Sequence, residues 1–289
     1  MNKKIYLCTT FREFNDSKNS KIQEKFLATI KAQTYKNYQL IITTFGEKTV
    51  KNYLQNIFST DSIIIKESIR QDYRYSLTEV LVNAIDEIKD PGILIWCTCD
   101  IELQNNYFQT LIDYYEIGIT GITHPNFIYL QNSQKVTCGP LSYGIDIFFA
   151  DTEILKSPNV YKDIKEYRFK DWGIFEQFLC ALAKKHGKKR INTVNISNVT
   201  KHINDRTASD ESSHFFVESL KRNRPVFDKF LLDNSLSIKF SNLLFCHIQF
   251  KVLKKPLNYT IHNFFDIRNY KSILKLIMPN WIYKKVKRY

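Results

Sequence analysis

Two acidic residues follow a short apolar run near the middle of the chain. The run Gly92-Ile93-Leu94-Ile95-Trp96 leads through Cys97-Thr98-Cys99 into Asp100-Ile101-Glu102. A run this short, rich in large aliphatic residues and opened by a Pro-Gly pair, predicts a fully buried strand. Carboxylates spaced i, i+2 on extended backbone project to the same side. Such oxygen donors suit Mg²⁺ or Mn²⁺ carrying a diphosphate; the alternative is an ordinary solvated pair of loop charges.

Strands and helices alternate around this pair. Because short apolar strands and amphipathic helices follow one another, the sequence predicts an α/β fold with a mostly parallel sheet flanked by helices. The carboxyl edge of such a sheet is where ligands bind. No GxGxxG or Walker A loop follows a strand, which argues against dinucleotide and P-loop phosphate binding. The predicted strands are 4–9, 38–44, 62–66 and 92–97, and the predicted helices begin near residues 20, 50, 76 and 106.

The second half of the chain carries further predicted elements. Strands are expected at 118–123, 145–150 and 190–195, and a helix follows Asp171-Trp172-Gly173. A change in composition near residues 207–213 predicts a domain boundary. The first 210 residues are expected to form the ligand-binding domain, and residues 211–289 a basic, helical C-terminal extension.

Composition narrows the class of protein. The chain has 289 residues, 44% of them hydrophobic, with only 8 Gly and 7 Pro, which indicates a folded protein with a sizeable core. The six cysteines are scattered, and Cys97 and Cys99 are expected to be buried thiols. No signal peptide and no long apolar stretch is evident, so we expect a cytoplasmic protein.

The positive charge is concentrated at the C-terminus. The net charge is +13, and residues 251–289 hold ten Lys and Arg against one Asp, a balance of +9. Aromatic residues such as Phe264, Phe265 and Trp281 are interleaved with these charges. This pattern predicts binding to an anionic membrane surface, on the inner face of the cell membrane. No nucleic-acid recognition motif accompanies the charge; the open alternative is a helical cap with solvated lysines.

The order of these parts resembles a known family. Residues 27–44, LATIKAQTYKNYQLIITT, are similar to the second segment of bacterial family 2-like glycosyltransferases with the GT-A fold. Asp100-Ile101-Glu102 stands at the position of their DxD motif, and Lys170-Asp171-Trp172 with Gly187-Lys188-Lys189 resembles their Glu-Asp segment. The resemblance covers about residues 3–206. Here the motif is Asp-x-Glu, and Lys170 stands where the family has Glu.

The resemblance implies a set of site residues. It assigns the divalent cation to Asp100 and Glu102, and the catalytic base to Asp171. Glu176 is the reserve candidate for the base. By analogy, the nucleotide-sugar pocket is lined by Thr9, Arg12, Glu47, Arg74, Asp100 and Arg206. His202 could complete the metal shell, and Asp146 and Trp172 could contact the acceptor.

Simpler roles for several of these residues stay open. Asp171 could be only the N-terminal cap of its helix. His202 and Arg206 could be surface residues of a polar loop, and Asp146 could face solvent from an edge strand.

The expected function is transfer of a sugar from a nucleotide-sugar donor to a glycan or lipid-linked acceptor. This activity is expected to be metal-dependent and inverting, in the synthesis of a surface polysaccharide or lipooligosaccharide. The alternative is a catalytically inactive sugar- or partner-binding module on the same fold, since a fold alone does not determine function.

Overall fold

The computed structural model describes residues 3–15, 18–68, 75–116, 122–125, 127–131, 134–138, 147–170, 175–186, 192–193, 199–202 and 210–236. Strands and helices alternate within these ranges, as the sequence predicts. The strands are β1 Lys4–Thr9, β2 Tyr38–Thr44, β3 Ile63–Glu67, β4 Gly92–Cys97, β5 Ile101–Leu103, β6 Ile122–Pro125, β7 Phe127–Gln131, β8 Gln134–Cys138, β9 Ile147–Asp151, β10 Asn192–Thr193 and β11 Val199–His202. The helices are α1 Lys18–Lys31, α2 Lys48–Ile57, α3 Leu77–Glu87, α4 Tyr107–Glu116, α5 Thr152–Lys156, α6 Pro158–Glu166, α7 Phe175–Lys185 and α8 Asp210–Asp233.

The main sheet of the described residues has seven strands in the order β10-β6-β9-β4-β1-β2-β3. Strands β4, β1, β2 and β3 are mutually parallel, with Cys8 opposite Trp96 and Thr9 opposite Ile42. Strand β9 runs antiparallel to both of its neighbours, β4 and β6. The predicted mostly parallel sheet flanked by helices is therefore confirmed.

A second sheet was not predicted. It has four strands in the order β5-β11-β7-β8 among the described residues. Strand β5 spans only three residues and β11 four, so neither is long enough to show an alternating pattern in the sequence. This sheet begins three residues after β4 ends and therefore lies next to the acidic pair.

Both faces of the main sheet are buried. Tyr6 and Cys8 lie in one core cluster with the apolar face of α3, while Ile5 and Leu7 lie in the other with the apolar face of α1. Alternate residues of one strand thus enter opposite cores, because successive side chains point to opposite faces. This explains why β1 and β4 are apolar almost throughout.

Gly92 is required where β4 starts. A Cβ atom at this position would lie 2.1 Å from the backbone oxygen of Lys4 on β1. Close to this contact, the hydroxyl of buried Tyr6 donates to the backbone oxygen of Asp90 (3.3 Å) and accepts from its amide (3.1 Å). Strand β4 is thus held tightly against β1 at the amino edge of the sheet.

Helix α8 packs into the same core as the sheet. Phe227 and Phe230 are fully buried in the cluster that contains Tyr6. The Tyr167 hydroxyl, just after α6, donates to Asp233 at 2.7 Å. This described part of the predicted C-terminal extension therefore contacts the preceding residues closely. No helix among the described residues is long and apolar enough to cross a membrane.

Candidate active site

Three parallel strands end at one edge of the main sheet. Strands β1, β2 and β4 end at Thr9, Thr44 and Cys97, and the loops that follow carry Arg12, Glu47 and Asp100. Open α/β sheets bind ligands at this carboxyl edge. The structure therefore brings predicted site residues from three separate parts of the sequence to one edge.

The acidic pair lies where the two sheets meet. Asp100 follows β4 in a turn and accepts a hydrogen bond from the Thr98 hydroxyl. Glu102 lies in β5, directly opposite Thr200 of β11, and Ile101 lies opposite Lys201. This pairing ends at Ile101, directly after Asp100, and at Lys201, directly before His202, which pairs with Leu130 of β7. The metal-binding role of Asp100, Glu102 and His202 stays a prediction.

The chemistry of these residues suits a divalent cation. Asp100 and Glu102 are half-buried and supply carboxylate oxygens, the ligand type that Mg²⁺ and Mn²⁺ prefer. Mg²⁺ is commonly held by only one or two carboxylates, with substrate phosphates completing the shell. Among the described side chains, no group of three or more His, Cys, Asp and Glu is arranged to bind a metal. The pair therefore fits a cation that arrives with a diphosphate.

The neighbouring cysteines are neutral thiols. Cys8 and Cys97 are buried, and the cysteines among the described residues, these two and Cys99, form no disulfide. Burial raises the pKa of Cys8 and of Cys97 well above the usual value, because the thiolate would lose its hydration. The prediction that Cys97 is a buried thiol is confirmed; Cys99 is half-buried.

The loop after β1 is held by side chains on both of its sides. Thr9 is buried, and its hydroxyl donates a hydrogen bond to the backbone oxygen of Thr10. The side chain of Arg12 is exposed, while its amide and carbonyl groups bind the carboxamide of Gln23. Nucleotide binding by Thr9 and Arg12 stays a prediction.

The same loop is attached to helix α2. The Glu13 carboxylate accepts hydrogen bonds from the backbone amides of Lys48 and Thr49 and from the Thr49 hydroxyl. These amides belong to the first turn of α2, where backbone N–H groups have no partner within the helix. Donation by the Thr49 hydroxyl, together with these amides, lowers the pKa of Glu13. Phe14 stacks on Tyr53 of α2, with ring centroids 4.0 Å apart.

Glu47 closes the turn after β2. Its Oε2 accepts a hydrogen bond of 2.6 Å from the backbone amide of Phe45. Gly46, between them, has a φ of +92°, a conformation that favours glycine. Glu47 thus has a structural role in this turn, and its predicted contact with the nucleotide is untested.

Several predicted site residues lie outside the described residues: Arg74, Asp146, Asp171, Trp172 and Arg206. Glu176 lies in the first turn of α7, for which the backbone is described. Their proposed roles in base catalysis, phosphate binding and acceptor binding stay predictions.

The segment that leads towards Asp171 is tightly held. The amide of Phe169 donates to Thr78 (2.9 Å), and its carbonyl accepts from Ser76 (2.7 Å); both hydroxyls belong to the start of α3. The amide of Lys170 donates to Asn223 of α8 (2.9 Å), and its carbonyl accepts from the Asn223 amide (2.6 Å). Buried side chains of two helices therefore satisfy all four backbone groups of two consecutive residues.

The helix predicted to begin near residue 76 is capped by Ser76, whose hydroxyl accepts a hydrogen bond from the Glu79 amide. The sequence reasoning missed the supporting residues Glu13, Gln23 and Asn223. Gln23 left a readable signal: it lies three and four residues before Phe26 and Leu27, on the apolar face of α1. A polar residue at such a position needs a buried partner.

The Gln-Thr-Tyr phrase at residues 33–35 has a structural explanation. Gln33 is fully buried; its amide donates to the carbonyl of Gln104 (2.7 Å), and its oxygen accepts from the amide of Phe108 (3.0 Å). The amide of Thr34 donates to the carbonyl of Asn105 at 2.7 Å. The end of α1 therefore positions the connection between β5 and α4.

Comparison with known proteins defines the class of fold. No family model matches the sequence, and no curated protein matches it. Solved structures do match, and they identify the architecture as a GT-A fold, as the sequence resemblance predicted. Assignment to family 2 stays a prediction.

One such structure is the crystal structure of GalNAc-T7 with UDP, GalNAc and Mn²⁺, which this chain matches with a TM-score of 0.51 and 13% sequence identity. The match covers 69% of this chain and 43% of that chain, so this protein spans less than half of that neighbour's length. Likeness at this identity establishes the fold alone, and the activity has to be argued from the site.

Proposed function

We propose that this protein is a glycosyltransferase that moves a sugar from a nucleotide-sugar donor to a glycan or lipid-linked acceptor. The observation that carries the proposal is the Asp100–Glu102 pair, which follows β4 at the carboxyl edge of a GT-A sheet. The GT-A neighbour with UDP and Mn²⁺ supports a nucleotide donor and a divalent cation, Mn²⁺ or Mg²⁺, for this chain as well.

Glycosyl transfer requires that the charge of the departing diphosphate be stabilised. Asp100 and Glu102 would hold the cation, which supplies Lewis-acid stabilisation of this charge when bound. His202 is a further candidate ligand, since it directly follows Lys201, which pairs with Ile101 next to Asp100. Thr98 orients Asp100 by donating a hydrogen bond to one of its carboxylate oxygens.

The second requirement is a base for the acceptor hydroxyl. We assign this role to Asp171, with Glu176 as the alternative; a general base contributes about 10²–10⁴-fold. A base on the face opposite the leaving group implies inversion at the anomeric carbon. Asp171→Asn is expected to lower turnover at least about a hundredfold, with donor affinity nearly unchanged.

Calorimetry of nucleotide binding tests the donor site. UDP, GDP, CDP and dTDP would be titrated with and without Mn²⁺ into the wild-type protein, Asp100→Asn and Glu102→Gln. Both substitutions are expected to abolish Mn²⁺-dependent binding while leaving unfolding unchanged. The matched control is Asp90→Asn, because Asp90 lies next to the opposite end of β4 and its carboxylate is exposed. Wild-type affinity in Asp100→Asn would contradict the proposed donor site.

Assay of transfer separates an enzyme from an inactive module. Mn²⁺-dependent hydrolysis of nucleotide sugars is measured, because water then takes the place of the acceptor and the acceptor need not be known. Hydrolysis that is lost in Asp100→Asn supports the enzyme. Binding without hydrolysis or transfer would favour the inactive sugar- or partner-binding module.

The proposed setting is surface polysaccharide or lipooligosaccharide synthesis on the inner face of the cell membrane. Residues 251–289 lie outside the described residues, and the proposal rests on their charge of +9 and their aromatic residues. Each basic residue near an anionic leaflet contributes about 1 kcal/mol before screening. Flotation with anionic vesicles at low salt is expected, and its loss after deletion of 251–289 tests it; flotation unaffected by that deletion would refute this location.

A further inference from the structure

The buried carboxamide of Gln23 links two loops of the candidate site. Gln23 lies on the apolar face of α1 and is 2% exposed. Its Oε1 accepts from the amide of Arg12 at 2.8 Å, and its Nε2 donates to the carbonyl of Arg12 at 3.1 Å. The side chain therefore pairs with both backbone groups of one loop residue, as a neighbouring strand would.

The same oxygen atom has a second donor. The Cys99 thiol lies 3.6 Å from Oε1 of Gln23 and donates to it. Cys99 immediately precedes Asp100 in the turn after β4, while Arg12 lies in the loop after β1. Because β1 and β4 are adjacent and parallel, these loops leave the same edge side by side. One buried atom thus joins the loop of the candidate nucleotide-binding residue to the turn of the candidate metal ligand.

The far side of the β1 loop is fixed independently. Glu13 binds the first turn of α2, and the amide of Asn15 donates to Ser20 of α1 at 2.9 Å. The loop is therefore anchored to two helices. Among the hydrogen bonds of Gln23 with described residues, the thiol contact is the one that reaches from this loop to the acidic turn.

We propose that Gln23 is a positioning residue that sets the separation between the Arg12 loop and Asp100, and thereby shapes the site for a nucleoside diphosphate that spans them. This inference rests on the proposed function. Gln23 acts through the two loops and does not itself contact the ligand. A carboxamide is needed at this position because one atom must accept and the other must donate.

Two substitutions separate the contributions of the accepting and the donating atom of the Gln23 carboxamide. Gln23→Glu keeps the shape and the accepting oxygen but cannot donate to the Arg12 carbonyl when ionised. Gln23→Met keeps similar length and removes both hydrogen bonds. Tyr6→Phe is the matched control, because the Tyr6 hydroxyl also pairs with both backbone groups of one residue, Asp90, at the opposite edge of the sheet.

Three quantities are measured for each variant: the urea midpoint, the affinity for UDP, GDP, CDP and dTDP with Mn²⁺, and hydrogen–deuterium exchange of peptides covering residues 10–15 and 97–100. Gln23→Met is expected to weaken nucleotide binding at least tenfold and to speed exchange in both peptides. Tyr6→Phe is expected to leave affinity within twofold and both peptides unchanged at a comparable loss of stability.

The outcomes distinguish this inference from the proposed function. Wild-type protein that binds none of the four nucleotides contradicts the proposed donor site, whereas the exchange measurement still decides whether Gln23 couples the loops. Unchanged affinity in Gln23→Met, or faster exchange in residues 10–15 alone, overturns the inference. Cys99→Ser keeps a donor and is expected to retain affinity, while Cys99→Ala is expected to reproduce part of the Gln23→Met effect; equal affinity in both would refute coupling through the thiol.

Discussion

Asn223 provides the sharpest test of how the segment before Asp171 is held. Its side chain is completely buried and makes two hydrogen bonds with the backbone of Lys170, at 2.6 and 2.9 Å. Asn223→Leu keeps a similar volume but removes both hydrogen bonds, while the Lys170 carbonyl keeps a longer contact with the Ser219 hydroxyl (3.5 Å). At about 1 kcal/mol for each of the two hydrogen bonds that are lost, the expected loss of stability is about 2 kcal/mol. This is a large part of the free energy of unfolding of an ordinary domain, which is roughly 5–15 kcal/mol.

Asn223→Asp tests the direction of the hydrogen bonds. An ionised carboxylate can accept from the Lys170 amide but cannot donate to the Lys170 carbonyl, whereas a protonated carboxyl can do both. The introduced carboxyl should therefore hold its proton more tightly in the folded state than in the unfolded state, where an Asp titrates near about 3.9. The deficit in stability relative to wild type then grows as pH rises above about 4, and it levels off once the folded variant also ionises.

Urea unfolding followed by circular dichroism measures both variants. The midpoint should fall while the slope stays constant, since the surface exposed on unfolding is unchanged. Leu232→Ala is the control, because Leu232 is 80% exposed in the same helix α8 and its substitution should change stability by less than about 0.5 kcal/mol. A loss of stability below about 1 kcal/mol in Asn223→Leu would refute this account of how Asn223 holds Lys170. A stability deficit in Asn223→Asp that does not vary with pH would refute it as well.

Two further predictions concern buried and paired polar groups. Among the described residues, the buried Tyr107 hydroxyl has no hydrogen-bond partner, so Tyr107→Phe is expected to raise the free energy of unfolding by about 1 kcal/mol; a loss of stability in urea titration would indicate a partner for this hydroxyl. The pKa of Glu13 lies below its ordinary value of 4.5 in the folded state, chiefly because the Thr49 hydroxyl donates to it. The contribution of Glu13 to the free energy of unfolding is therefore present above pH 4.5 and is lost as pH falls through the folded-state pKa. Melting temperatures of Glu13→Gln and wild type should then converge in acid, and a constant difference from pH 7 to 3 would contradict this.

Local sequence patterns were sufficient for three central strands of the main sheet, whereas β6 lies at Ile122–Pro125 instead of the predicted 118–123 and helices α5 and α6 were not predicted. The bounds predicted for β1, β2 and β4 agree with the structure, because each is a short apolar run between polar residues and is buried on both faces. The acidic pair could be placed at a ligand-binding edge for the same reason: a buried parallel strand must end at that edge. The helix of Phe175–Lys185 was also predicted from its apolar face.

Only the tertiary structure decided which distant groups meet. Strands β5 and β11 are too short to show periodicity, and their pairing, which joins Ile101 next to Asp100 to Lys201 next to His202, depends on contacts between residues a hundred positions apart. The groups of Arg12 that bind Gln23 and those of Lys170 that bind Asn223 are likewise backbone groups, which every residue carries, so no side-chain pattern could identify them. The sequence therefore determined the sheet and the chemistry at its edge, because burial leaves a periodic signal. The geometry of the loops depended on the tertiary fold, because hydrogen bonds to backbone leave none.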